Sequence, residues 1–162
     1  YQSIVDQYLQ LEPDVLLGGG AEYFLPAKAG GKRKDAVARV REEFRFEDRE
    51  VFRVLLLDTK NRLIRISKVS VGTVNASLVE PREVFKEAIT HSATAIILAH
   101  NHPSGNPLPS DSDQALTKTL QNALQLVDIT LLDHCIVSGS GFFSFSDIER
   151  FYLNQLGLKS SW

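Results

Sequence analysis

The chain of 162 residues contains no methionine and a single cysteine. One cysteine excludes an internal disulfide and is the usage expected of a reducing cytoplasm. Cys135 lies within an apolar run, so it reads as a buried, inert thiol rather than a nucleophile. The lack of methionine, with a chain that opens on Tyr1, leaves two expectations. Either the chain is a fragment, or modified methionines have dropped out of the letters and some sequence neighbours are not true neighbours. No apolar run approaches the roughly 20 residues of a membrane span. No signal-peptide pattern opens the chain. No membrane partner is therefore expected. Excess charge of one sign is also lacking: 18 Lys and Arg face 20 Asp and Glu, a net charge of −2. That balance gives no general electrostatic case for nucleic acid. The cluster Lys32-Arg33-Lys34, with Arg39 and Arg41, is followed by Glu42, Glu43, Glu47 and Asp48, and reads as a solvated face of mixed charge. Hydrophobic residues at 43% and charged residues at 23% fit a globular protein. The length suits one domain with an appendage.

What is present is concentrated around Ala99-His100-Asn101-His102-Pro103-Ser104-Gly105 and Ser110-Asp111-Ser112-Asp113. Thr94 to Ala99, TAIILA, has the composition of a short buried strand. Side chains at i and i+2 of a strand point the same way, so a strand that persists would aim His100 and His102 into one pocket. Pro103, Gly105, Pro107 and Pro109 then make a loop. From Ser110 to Val127, Ala115, Leu116, Leu120, Ala123, Leu124 and Val127 recur at helical spacing. Ser110 suits the N-cap, with Asp113 at the third helical position. Two readings compete. Ser110 and Asp113 could serve only to cap the helix, and the histidines could be polar loop residues. The conjunction of strand end, His-x-His, loop and Asp favours a three-ligand metal site. Three protein ligands leave a fourth position for water, as in catalytic zinc sites.

Elsewhere, Gln2 to Leu11 could form a short helix, and Gly18-Gly19-Gly20 and Gly30-Gly31 punctuate a poorly patterned stretch. Lys34 to Phe44 reads as helical, with Ala36, Val37, Val40 and Phe44 on one face. A boundary falls near 32–45, giving a helical or linker segment over 1–45 and a main domain over 46–162. Val51 to Leu57 and Arg62 to Val71 read as a hairpin around the turn Asp58-Thr59-Lys60-Asn61. A helix is expected from Glu80 or Pro81 to Ala93, with proline in its first turn. Ile129 to Ser138 and Phe142 to Phe145 read as strands, and Ser146 as the cap of a last helix. The order β-β-α-β-α-β-β-α predicts an α/β fold, a mixed sheet flanked by helices. His134 alternates with Leu132 and Ile136. It reads as a satisfied, buried histidine rather than a metal ligand, with a role in orienting a ligand as the alternative. His91 reads as a surface or packing residue.

From about Glu47 to Phe151 the chain resembles the RadC-like branch of the JAMM (MPN+) metalloprotease fold. The resemblance rests on LLLDTKNRLI, VSVGTVNASLVEPREVFKEAI, AIILAHNHPSGNPLPSDSD, LLDHCIV and FFSF. It carries the signature His-x-His, ten residues, Asp, with Ser three before the Asp. It implies a layered architecture of the cytidine-deaminase-like kind, a Zn2+ ion, and water-mediated cleavage of a peptide or isopeptide bond in a protein or peptide substrate. It implies zinc ligands at His100, His102 and Asp113, and a serine at Ser110 that hydrogen-bonds the site and steadies an oxyanion. The family's general base matches Glu50 best, with Glu47 as runner-up. The family also carries a DNA-repair label, so a non-catalytic module for repair or protein interaction on the same fold is the alternative. The stretch LLGGGAEYF matches poorly the helix-hairpin-helix-like segment that often precedes such domains, which weakens a DNA partner. Nucleobase deaminase chemistry needs H-x-E and P-C-x-x-C, and the chain has neither.

Overall fold

A computed structural model describes residues 40–71 and 79–147. Its elements in chain order are β1 (Val51–Leu57), β2 (Leu63–Val71), α1 (Pro81–Thr90), β3 (Ala95–His102), α2 (Asp111–Gln125), β4 (Thr130–Ser138) and β5 (Phe142–Ser144). The strands form one mixed sheet in the order β2-β1-β3-β4-β5. Strands β3 and β4 are parallel, joined by the α2 crossover, and the other neighbours are antiparallel. The expected α/β fold is present.

The apolar runs VFRVLLL and AIILA lie in adjacent strands because both faces of the sheet are covered. On one face Val54, Leu56, Ile96 and Leu98 pack under Val84 and Ala88 of α1 and Leu120 and Leu124 of α2. On the other, Leu55, Leu57, Ile97, Ala99, Cys135 and Val137 pack with Val40 and Phe44. Val40 and Phe44 come from the stretch 32–45 in which the domain boundary is expected. Cys135 is buried there, as its apolar neighbours suggest, with its Sγ 3.5 Å from Asp133 Oδ2. The segment from Gln2 to Leu11, the two glycine runs, Lys32-Arg33-Lys34 and nearly all of the last helix lie outside the described residues. Among the described residues, no helix is long and apolar enough to cross a membrane.

Both helices stop short of their sequence-based ends. Ser92 takes φ 51° and Asp128 φ 54°, left-handed conformations that end helical pairing. Backbone N–H groups of Ala93 and Ile129 turn back onto the carbonyls of Ala88 and Leu124. His91 occupies the C-cap of α1, and its Nδ1 bonds the Glu87 carbonyl at 2.9 Å, so packing explains it. In the hairpin turn, Asp58 Oδ1 accepts from the backbone of Lys60 and Arg62. The Arg62 side chain and backbone hold the Asp58 carboxyl down to about 2.

One sequence expectation is corrected. Leu132 does not share a face with His134. A bulge between β3 and β4 passes from the pair Ile96–Leu131 to Ile97–Asp133 and skips Leu132. The extra residue turns Leu132 to the Cys135 side, while His134 pairs opposite Leu98 on the helix side.

Candidate metal centre

The carboxyl end of β3 meets the amino end of α2, and the side chains of His100, His102 and Asp113 converge there. One ligand atom from each lies within 4.8 Å of the others. His100 Nε2 is 3.0 Å from His102 Nε2 and 3.3 Å from Asp113 Oδ1. His102 Nε2 is 3.5 Å from Asp113 Oδ2. Strand pleating puts both histidines on one face, because β3 continues through His102.

Capping, posed in the sequence as the alternative to ligation, is built into Asp113 and still leaves its carboxylate beside both histidines. Ser110 Oγ accepts from the Asp113 backbone N–H at 3.2 Å, and Asp113 Oδ2 accepts from the Ser110 N–H at 2.8 Å. This reciprocal box fixes the rotamer of the carboxylate. Its Oδ1 is left facing His100. Ser110 Oγ also donates to Asp113 Oδ2 at 2.6 Å and lies 2.8 Å from Ser112 Oγ.

The arrangement suits a cation. His102 Nδ1 lies 2.8 Å from the Asn106 carbonyl, which can only accept. Nδ1 therefore carries the proton, and a neutral His102 turns an Nε2 lone pair toward His100 and the carboxylate. Such a crowd of electron pairs is stable only with a proton or a metal ion among them. Burial alone would raise the Asp113 carboxyl, but its interactions with the His100 and His102 rings outweigh it and hold it well below the usual range. The Asp113 carboxylate in turn raises His102 against the effect of burial, with the Asn106 carbonyl and the Glu50 charge adding to it. A metal ion would compete for the place of that proton. Two imidazole nitrogens and one carboxylate could hold such an ion.

A family model described as the RadC-like JAB domain matches residues 31–150. The chain belongs to that family. It is 48% identical over 120 residues to a UPF0758 protein of Haemophilus ducreyi, covering 74% of this chain and 53% of that protein. It is 52% identical over 111 residues to a UPF0758 protein of Desulforudis audaxviator, covering 68% of this chain and 48% of the relative. The chain therefore spans about half the length of the curated relatives it matches.

In this RadC-like JAB domain the two glutamates considered as a base part company. Strand β1 pairs with β3 so that Phe52 lies opposite His100. Continuing that antiparallel register sets Glu50 opposite His102, on the face that Phe52 shares with His100. Phe52 stacks on the His100 ring, with centroids 5.5 Å apart. Glu50 is partly buried, and its charge reaches His102. Glu47 instead binds Arg53 at 2.7 Å and Lys68 at 3.2 Å. Arg53 follows Phe52 and so projects from the opposite face.

Sequence reasoning passed over Asn101. Between two histidines that face the helices, its side chain must face the other way. It is buried, accepts from the Val51 N–H at 2.8 Å and donates to the Arg49 carbonyl at 2.8 Å. Those two groups belong to the peptide planes on either side of the Glu50 Cα, so Asn101 pins the backbone that carries Glu50. Asn101→Leu keeps the volume but orphans the buried Val51 N–H. The expected cost is about 1–3 kcal/mol, read by urea unfolding, with faster hydrogen exchange at the Val51 amide.

His134 is fully buried, with its ring stacked on Phe145 at 5.0 Å. Burial first, and then the neighbouring His100, push it well below its ordinary value, so it is neutral. Its Nε2 lies 2.9 Å from His100 Nδ1.

Proposed function

We propose that this domain is a zinc-dependent hydrolase that cleaves a peptide or isopeptide bond in a protein or peptide substrate. The observation that carries the reading is the convergence of two imidazoles and a capped carboxylate, with a second carboxylate, Glu50, on the same face of the sheet. His100, His102 and Asp113 would hold the metal. Two neutral nitrogens and one oxygen suit Zn2+, with a fourth position left open. Bound there, zinc would supply Lewis acidity and lower the pKa of water towards about 7.

The protein's own groups supply the rest. Glu50 takes a proton from the attacking water and passes it to the leaving nitrogen, which departs as an amine when the carbon–nitrogen bond breaks. Ser110 carries one hydroxyl proton, now given to Asp113 Oδ2. Turned towards a substrate carbonyl, it would stabilise the developing oxyanion. The loop Pro103 to Pro109 links His102 to Ser110 and is held by the turn between β4 and β5. Ser140 Oγ donates to the Gly105 carbonyl, and a Cβ on Gly141 would meet Pro107 Cγ at 3.1 Å.

A zinc-loaded sample should be screened against fluorogenic peptide and isopeptide libraries. Cleavage that stops with a chelator and returns with zinc is expected. Cleavage indifferent to chelator would overturn the reading.

A further inference from the structure

We infer that His134 and Thr117 form a hydrogen-bond relay that sets the tautomer of His100, leaving its Nε2 free to bind metal. The start of the relay is Thr117, one helical turn beyond Asp113 in α2. Its Oγ1 lies 2.6 Å from the Asp113 carbonyl and 2.6 Å from His134 Nδ1. A hydroxyl has one proton. The carbonyl can only accept, so the proton goes there; otherwise two oxygens with facing lone pairs would sit in close contact. Thr117 must then accept from His134, which makes His134 the Nδ1–H tautomer. Its Nε2 is an acceptor, and His100 Nδ1, 2.9 Å away, must donate to it. His100 Nε2 is left with its lone pair, 3.3 Å from Asp113 Oδ1. The relay begins on the backbone of one candidate ligand and ends facing the side chain of the same residue. Every direction in it follows from the carbonyl at its start.

The rings have little freedom to leave this arrangement. Phe145 stacks on His134 and Phe52 on His100, with interplanar angles of 8° and 11°. Thr117, His134 and His100 are all buried, so water does not compete for their polar atoms. Without the Thr117 oxygen, the His134 proton has no acceptor at Nδ1. Moving to Nε2, it would face His100 Nδ1 and drive the His100 proton onto Nε2. That is the nitrogen a metal needs. Thr117 and His134 are thus positioning residues that act through His100.

The functional meaning rests on the metal centre proposed above, but the tautomer can be read without metal. Zinc-free protein labelled with 15N-histidine, at mildly alkaline pH, should show protons on Nδ1 of both His100 and His134. A proton on His100 Nε2 instead would overturn the relay. In Thr117→Val, nearly the same shape without the hydroxyl, the His100 proton is expected on Nε2, and Zn2+ affinity should fall by about 10–100-fold. Thr117→Ser should restore both. A Thr117→Val protein with an unchanged tautomer would refute the relay, whereas a wild-type protein with the expected tautomers and no zinc affinity would refute only the metal reading.

Discussion

Replacing Glu50 with glutamine is expected to lower metal-dependent hydrolysis by about 10²–10⁴-fold, with bound zinc unchanged. Glutamine keeps the size and hydrogen-bonding reach of the side chain but cannot take a proton from water. None of the three side chains proposed to hold the metal is touched, so zinc content should match wild type. Glu47→Gln is the matched control. It removes a carboxylate from the Arg53 and Lys68 cluster on the opposite face. Its hydrolysis should stay near wild type. The reverse pattern, a dead Glu47→Gln and an active Glu50→Gln, would assign the base to Glu47 and contradict the register argument.

Asp113→Ala should abolish tight zinc binding and destabilise the fold together. The metal effect should exceed the about 10–100-fold expected on losing an outer hydrogen-bond partner, because a direct ligand is gone. The stability effect comes from the broken capping box and should be about 0.5–2 kcal/mol. Asp113→Asn separates the two. Its amide oxygen can still accept from the Ser110 N–H, so thermal stability should largely return. It lacks the negative charge that balances a divalent cation, so affinity should stay low. If Asp113→Asn restored both, the carboxylate would be a cap and nothing more.

The parts legible in the sequence were those governed by local periodicity. The strand that aims His100 and His102 to one side needs only a two-residue repeat. The cap that seats Asp113 needs only Ser110 three residues earlier. The choice between Glu50 and Glu47 was not local. It depends on how β1 pairs with β3, and pairing register is set by the packing of both sheet faces. Asn101 was hidden for the same reason, since its partners Arg49 and Val51 belong to another strand. The misplacement of Leu132 has a different cause. One bulged residue resets the alternation of a strand, and its apolar letters do not reveal it. The link from Thr117 through His134 to His100 joins three elements and leaves no mark on any one of them.

The metal content of the purified protein tests the central claim most directly, beside a His100→Ala/His102→Ala variant. Elemental analysis after zinc loading and dialysis should find close to one zinc per chain in the wild type and almost none in the variant. A wild-type protein that holds no zinc, or a variant that holds as much as the wild type, would contradict the assignment of this strand end and helix N-terminus as a metal centre.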